Sequence, residues 1–292
     1  MFSTALREAE KYTIPVITSK FLDNGTFSCG LGSAIVVNDE GWIVTAAHIA
    51  QDILAFGTHQ VEMAEHKKQC QLIESNPSLT PKAKRKQIGA IPKNPLWVVS
   101  QATLWDGQNN ASVPKFMMDL MADIAIGQIV PFDKQRITGY AVFKNPGEPM
   151  PRGTSLCRLG FPFHDIQATY DQTTGQFTLG PNVLPVPLFP NEGIHTRIIK
   201  MNSPDGKKTV NFIETSSPGL RGQSGGPIFD RDGNIWAIQS RTQSFMLGFS
   251  PTIKQGNKEI VEHQFMHVGW GSHAGEVVRM LQDFKVKFRM SS

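Results

Sequence analysis

The chain has 292 residues, 40% of them hydrophobic and 18% charged, with a formal net charge of +4. That length and composition suit an ordinary soluble globular protein with a full core, arranged as two small domains or one large one. The mild basic excess reads as surface composition, so nucleic acid is not an expected partner, and no apolar run reaches a membrane span.

The opening segment, residues 1–11, lacks an uninterrupted apolar run and so has no secretory h-region. Ser3 is a candidate cap for a short helix through Lys11, with Ala5, Leu6 and Ala9 at helical spacing. The texture then turns β. Residues 14–17 and 26–29 are short strand candidates, and residues 31–37 run through the turn Asn38-Asp39-Glu40-Gly41 into a second strand at 42–45, a hairpin pattern. Thr45-Ala46-Ala47-His48 follows at once, placing a histidine at a strand end beside small residues.

Between residues 51 and 95 the alternation breaks into charged helical fragments, with Lys82, Lys84, Arg85, Lys86 and Lys93 bounded by Pro81 and Pro92. This is a helical insertion; its basic cluster is a solvated face or, in the sharper reading, a docking surface for a regulatory protein. Strand texture resumes at 96–99 and at 123–129, the latter headed by Asp123, with Asp119 as a nearby rival carboxylate. Residues 137–151, with Asn145-Pro146-Gly147, form a connector. Further strands are expected around 155–160, 177–179, 210–213, 227–229, 235–239 and 265–268, and an amphipathic helix over 272–284 closes the chain. His263 and His267 share a strand or helix face without a third ligand nearby, so no metal is expected. Cys29, Cys70 and Cys157 are odd in number and in no C-x-x-C pair, which argues against a disulfide framework and a zinc site and points to a reducing cytoplasm.

The most informative stretch is Thr215 to Pro227, where Ser224 sits among Gly222, Gly225 and Gly226. Glycines permit a tight bend that lifts the hydroxyl and turns peptide N–H groups inward, the geometry of a nucleophile with an anion pocket. A serine hydroxyl needs a base such as imidazole, and the imidazole needs a carboxylate to set its tautomer. His48 and Asp123 in the first β unit and Ser224 in the second supply that set, with the site in the cleft between units.

Thr45-Ala46-Ala47-His48, Asp123-Ile124-Ala125-Ile126 and Gly222-Gln223-Ser224-Gly225-Gly226-Pro227 resemble the trypsin/chymotrypsin-like serine peptidases in that family's His, Asp, Ser order. Gly32-Ser33-Ala34 through Thr45, with Leu159-Gly160-Phe161-Pro162, is similar to the bacterial HtrA/Deg-like protease domain, without its PDZ module. The resemblance implies a mainly β fold of two six-stranded antiparallel barrels, with a helical insertion after the histidine and a C-terminal helix. Residues 1–136 would form the first barrel with its insertion, 137–151 the connector, 152–270 the second barrel and 271–292 the closing helix and tail.

It also implies peptide-bond hydrolysis through an acyl-enzyme on a protein or peptide substrate, with no cofactor. His48 would be the base, Asp123 its orienter and Ser224 the nucleophile; the N–H groups of Gly222 and Ser224 would form the oxyanion hole, and Gln239-Ser240-Arg241 would pair with substrate backbone. Pro218 falls where an acidic specificity residue would favour a basic side chain, so a small or apolar residue is expected before the scissile bond. Gln223 stands where zymogen-type members carry an aspartate, and no Ile-Val-Gly-Gly start is visible, so activation by a freed N-terminus is not expected; gating by a partner or a conformational change is. Two alternatives remain: a protease-like fold used for binding only, and an α/β-hydrolase esterase, whose serine must open a helix and whose histidine must follow it.

Overall fold

The computed structural model describes residues 2–105, 108, 110–255, 258–261 and 263–292, and for residues 253–255, 258 and 260 the backbone alone. Helix α1 (Ser3–Glu10) leads into β1 (Thr13–Leu22), β2 (Phe27–Val36) and β3 (Trp42–Thr45). The insertion follows as α2 (Ala47–Glu74) and α3 (Pro81–Ala90), and then β4 (Val98–Trp105), β5 (Phe116–Asp119) and β6 (Ile124–Gln128). These six strands form one antiparallel sheet in the order β4-β1-β2-β3-β6-β5. Its two edges approach through Trp105 and Phe116, whose ring centroids lie 6.3 Å apart, so packing curls the sheet into a barrel around Ile14, Val16, Ile35 and Ile126.

The second sheet comprises β7 (Val142–Phe143), β8 (Ser155–Gly160), β11 (Phe189–Asn202), β12 (Thr209–Thr215), β13 (Pro227–Phe229), β14 (Ile235–Met246), β17 (Phe265–His273) and β18 (Arg289–Met290). Two short hairpins, β9 (Ala168–Asp171) with β10 (Gln176–Leu179) and β15 (Thr252–Gln255) with β16 (Lys258–Val261), project from it. Because β13 pairs with both β8 and β14, the order β13-β8-β11-β12-β17-β14 closes on itself as a six-stranded barrel. Helix α4 (Ala274–Asp283) packs Val277, Val278 and Leu281 against it, as its amphipathic spacing requires.

Three local expectations are revised. Ser3 does not cap α1, where Phe2 is the cap residue and no side-chain cap bond forms. His48 lies not at the end of β3 but on the first turn of the 28-residue α2. The 14-residue β11 was absent from the expected strands: Pro190 and Gly193 interrupt it, and its exposed and half-buried residues outnumber its buried one, so its sequence carries little apolar alternation. Its place is set by β8 and β12, with which it pairs along both edges.

Candidate active site

His48 and Asp123 meet because β3 and β6 are adjacent, pairing Thr45 with Ala125. The β5–β6 turn is drawn tight by Asp119, which accepts the Ala122 N–H at 3.1 Å, and delivers Asp123 in the left-handed region at φ +54°, which aspartate tolerates better than most residues. Both Asp123 carboxylate oxygens lie 3.0 Å from His48 Nδ1, and Oδ1 also accepts the His48 backbone N–H at 3.0 Å. An ionised carboxylate only accepts, so Nδ1 carries the proton and Nε2 presents its lone pair. Burial pushes the Asp123 carboxyl up, but the hydrogen bonds from the His48 ring, the Ser240 hydroxyl and the His48 backbone N–H together hold it below the usual carboxylate range.

Ser240 was expected among the substrate-pairing residues; its hydroxyl donates to Asp123 Oδ2 at 2.5 Å from across the cleft. No local signal could announce that contact, which joins residues of different barrels. Gln239, beside it, is 2% exposed, and its backbone is committed on both sides, its N–H to Gly226 at 2.8 Å and its carbonyl to the Gly225 N–H at 2.8 Å.

The Ser224 loop is built by close approach. Gly225 adopts φ +84°, and a Cβ there would strike the Ser33 carbonyl and the Thr45 hydroxyl. At Gly222, φ +97°, a Cβ would strike the Phe161 carbonyl. Ser33 in β2 straps the loop from the first barrel, its N–H donating to Ser224 O at 2.8 Å and its hydroxyl to Gly222 O at 2.7 Å. Gln223, fully buried, accepts the Leu220 N–H at 3.0 Å and donates to Phe189 O at 3.2 Å, bracing the bend with a neutral amide.

With those carbonyls pinned, the N–H groups of Gly222 and Ser224 make no hydrogen bond among the described residues. The Ser224 hydroxyl is directed to Ser240 O at 3.5 Å, while His48 and Ser224 line one cavity of about 350 Å³ with Gly32, Ile49, Asp52 and Gly222. The loop continues into β13, a strand, where an α/β-hydrolase elbow would open a helix.

Arg158 in β8 is a further residue that sequence reasoning missed, although a lone arginine in an apolar strand was a visible signal. It is 1% exposed and donates to Thr215 Oγ1 at 2.5 Å, Ser217 Oγ at 3.2 Å and Pro218 O at 3.0 Å, fixing the segment that leads into the bend. Burial pulls its guanidinium down to about 10. Asn191 Nδ2 also donates to Pro218 O, at 2.8 Å. Asp119, the rival carboxylate, faces away from the cleft toward Lys208 and Arg279. His267 and His263 each hydrogen-bond a serine, Ser244 and Ser250 respectively.

The family model described as a trypsin-like peptidase domain matches residues 32–238, more than two thirds of the chain. No curated protein sequence matches it. Among solved structures, a variant of the HtrA-type protease AlgW with a tripeptide aligns at TM-score 0.51 and 13% identity, covering 98% of this chain and 64% of AlgW. The chain therefore spans somewhat under two thirds of that protein's length. The active form of the Rv3671c protease from M. tuberculosis aligns at TM-score 0.49 and 14% identity, covering 98% of this chain and 86% of Rv3671c.

Proposed function

Given that this chain belongs to the trypsin-like peptidase family, we propose that it is a serine endopeptidase acting through an acyl-enzyme. His48 takes the Ser224 proton through Nε2 as Oγ attacks the substrate carbonyl; Asp123 holds the Nδ1–H tautomer and steadies the imidazolium; the N–H groups of Gly222 and Ser224 receive the oxyanion. The imidazolium then returns the proton to the leaving amine, and water repeats the sequence on the ester. The observation that carries this reading is the pairing of a carboxylate-held imidazole with two unspent N–H groups beside the same serine. Substrate backbone would lie along Ser240 and Arg241, since the Gln239 backbone is already committed. The AlgW neighbour is solved with a tripeptide, in keeping with a peptide substrate here.

Gating belongs to the same proposal. His48 rides on the first turn of α2, so a partner that shifts the insertion at 51–95 moves the base directly. Turning the Ser224 hydroxyl from Ser240 O toward His48 is the other step that activation requires. That same hydroxyl direction favours a second reading, a latent protease-like module that only binds.

The test is labelling by an alkyl fluorophosphonate. Labelling of the wild type that Ser224→Ala and His48→Ala both abolish supports the peptidase. Labelling that survives Ser224→Ala refutes the assigned nucleophile, and absence of labelling with or without the insertion residues 60–93 supports the binding module.

A further inference from the structure

The positive charge of this chain is gathered in one place. Residues 63–90, the outer part of α2 together with α3, carry six lysines and arginines against two acidic residues, a net +4. The remaining 264 residues carry 23 of each sign and are neutral. The basic excess is therefore a local feature of one helical hairpin and not the composition of the surface at large.

That hairpin adds little to the core. No residue of α3 is buried, nor is any residue of α2 after Ala50. The Trp97 indole supports α2 from the barrel side at Glu62 and His66. Helix α3 is set by its own sequence: Pro81 opens it, and Thr80 Oγ1 accepts the Ala83 N–H at 3.2 Å. Lys84 is tied back to Glu74 O. Lys67, Lys68, Lys82, Arg85 and Lys86 are exposed, and none of them makes a hydrogen bond or an ion pair among the described residues. Like charges held together without a counter-charge repel one another, so their gathering costs stability that a bound anion returns.

The arrangement also says which kind of anion. On α3, Lys82, Arg85 and Lys86 fall at i, i+3 and i+4 and share one face. On α2, Lys68 and Leu72 are four positions apart on one line, and Leu72 is 64% exposed. A phosphate backbone offers nothing apolar to cover Leu72, and residues 63–90 contain no phenylalanine, tyrosine or tryptophan on which bases could stack. A membrane surface calls for a broad apolar stripe, whereas the other exposed positions late in α3 are Gly89 and Ala90. An acidic protein segment with an apolar side chain among its carboxylates matches both features.

We propose that the outward face of this hairpin, Lys67, Lys68 and Leu72 of α2 with Lys82, Arg85 and Lys86 of α3, is the docking surface for an acidic, leucine-bearing segment of a partner protein. The partner called for by gating thereby acquires a chemistry. Helix α2 runs unbroken for 28 residues, about 40 Å at 1.5 Å per residue, from this surface to the turn that carries His48. The effect on catalysis rests on the peptidase reading above; the binding itself does not.

Fluorescence anisotropy on the full chain tests this with three fluorescein-labelled probes: a 20-residue helical peptide of glutamate with leucine at every third or fourth position, the same peptide with serine in place of leucine, and a 20-base-pair DNA duplex. We expect the leucine peptide to bind at least about tenfold tighter than the duplex and about threefold tighter than the serine peptide, and to weaken by about tenfold between 50 and 200 mM salt. Joint Lys82→Gln, Arg85→Gln and Lys86→Gln should weaken it by at least about tenfold, whereas joint Lys134→Gln, Lys200→Gln and Lys207→Gln, equally exposed but elsewhere, should leave it within about twofold. Leu72→Ser should remove the advantage of the leucine peptide over the serine peptide and leave the serine peptide unchanged.

Absence of peptide binding at 50 mM salt would overturn the proposal, as would equal losses in the two triple variants. Tighter binding of the duplex would assign the face to nucleic acid, and displacement of the leucine peptide by phosphatidylserine vesicles would assign it to a membrane; either overturns the protein partner. Ser224→Ala should bind the leucine peptide as the wild type does. Failure of fluorophosphonate labelling with peptide binding intact therefore removes the peptidase reading alone, and failure of binding with labelling intact removes the docking surface alone.

Discussion

Asp123 and Asp119 are four positions apart in one turn, yet their surroundings give them different partners. Asp123 holds His48 Nδ1 and accepts from Ser240, whereas Asp119 accepts from Ala122 N–H, Lys208 and Arg279. Ser240→Ala removes one hydrogen bond to an ionised carboxylate, worth about 1.5–3 kcal/mol. Fluorophosphonate labelling should then slow by roughly 10- to 150-fold at 1.4 kcal/mol per decade. Asp123→Asn should cost more, about 10⁴-fold, because an amide nitrogen facing Nδ1 enforces the wrong tautomer. Asp119→Asn should label at close to the wild-type rate. A slower Asp119→Asn than Asp123→Asn would reverse the two assignments. The two aspartates could be ranked from sequence because Asp123 heads an alternating strand, but the Ser240 contact spans 117 positions and leaves no local trace.

At the scale of elements, the insertion is a brace as well as a protrusion. Helix α2 lies along β4: Gln60 donates to Val98 O at 3.0 Å, Gln101 donates to Ile53 O at 2.9 Å, and the Trp97 indole N–H donates to Glu62 at 2.7 Å. Trp97 is 6% exposed and packs edge-on against His66. Trp97→Ala should therefore destabilise the protein by about 3–5 kcal/mol, the range for deleting a buried aromatic. Denaturant unfolding measures the loss, and hydrogen exchange should show faster opening across residues 58–70 than across β2. Protection that falls equally in both places would mean that Trp97 supports the barrel and not the helix.

The helical character of residues 51–95 was legible in charge and in the break of alternation. Its continuity with His48 was not, because the Ala-rich start of α2 carries no side-chain cap to mark a boundary. The β13–β14 hairpin was equally legible, since Pro227-Ile228-Phe229 and Ile235-Trp236 flank a turn of Asp230 to Asn234. Strand β11 escaped notice because pairing with β8 and β12, and not its own pattern, holds it.

Across the whole molecule, the cleft depends on contacts that cross between barrels. Ser33 reaches the Ser224 loop, and Ser272 donates to Ala122 O just ahead of Asp123. Asp119 in the first barrel is bound to Lys208 on the β11–β12 turn and to Arg279 on α4. Burial pushes the Asp119 carboxyl up, but Lys208, the Ala122 N–H and Arg279 hold it below its ordinary value; Glu214, against Arg197, Thr196 and Trp270, is lowered in the same way. A carboxylate lowered in the folded state adds stability that is present above its unfolded pKa, about 3.9 for aspartate and 4.3 for glutamate, and is lost as pH falls through the folded value. Stability attributable to Asp119, Asp123 and Glu214 should thus be level from neutrality to about pH 5 and decline below about pH 4. Asp119→Asn removes one of the three, and with it the cross-barrel ion pairs to Lys208 and Arg279, so the variant should be less stable at pH 7 and its decline shallower. Urea midpoints from pH 7 to pH 3 should show the gap between wild type and variant closing as Asp119 becomes protonated. A gap as wide at pH 3 as at pH 7 would mean that the charge of Asp119 does not join the barrels, leaving Ser33 and Ser272 to hold the two halves of the cleft in register.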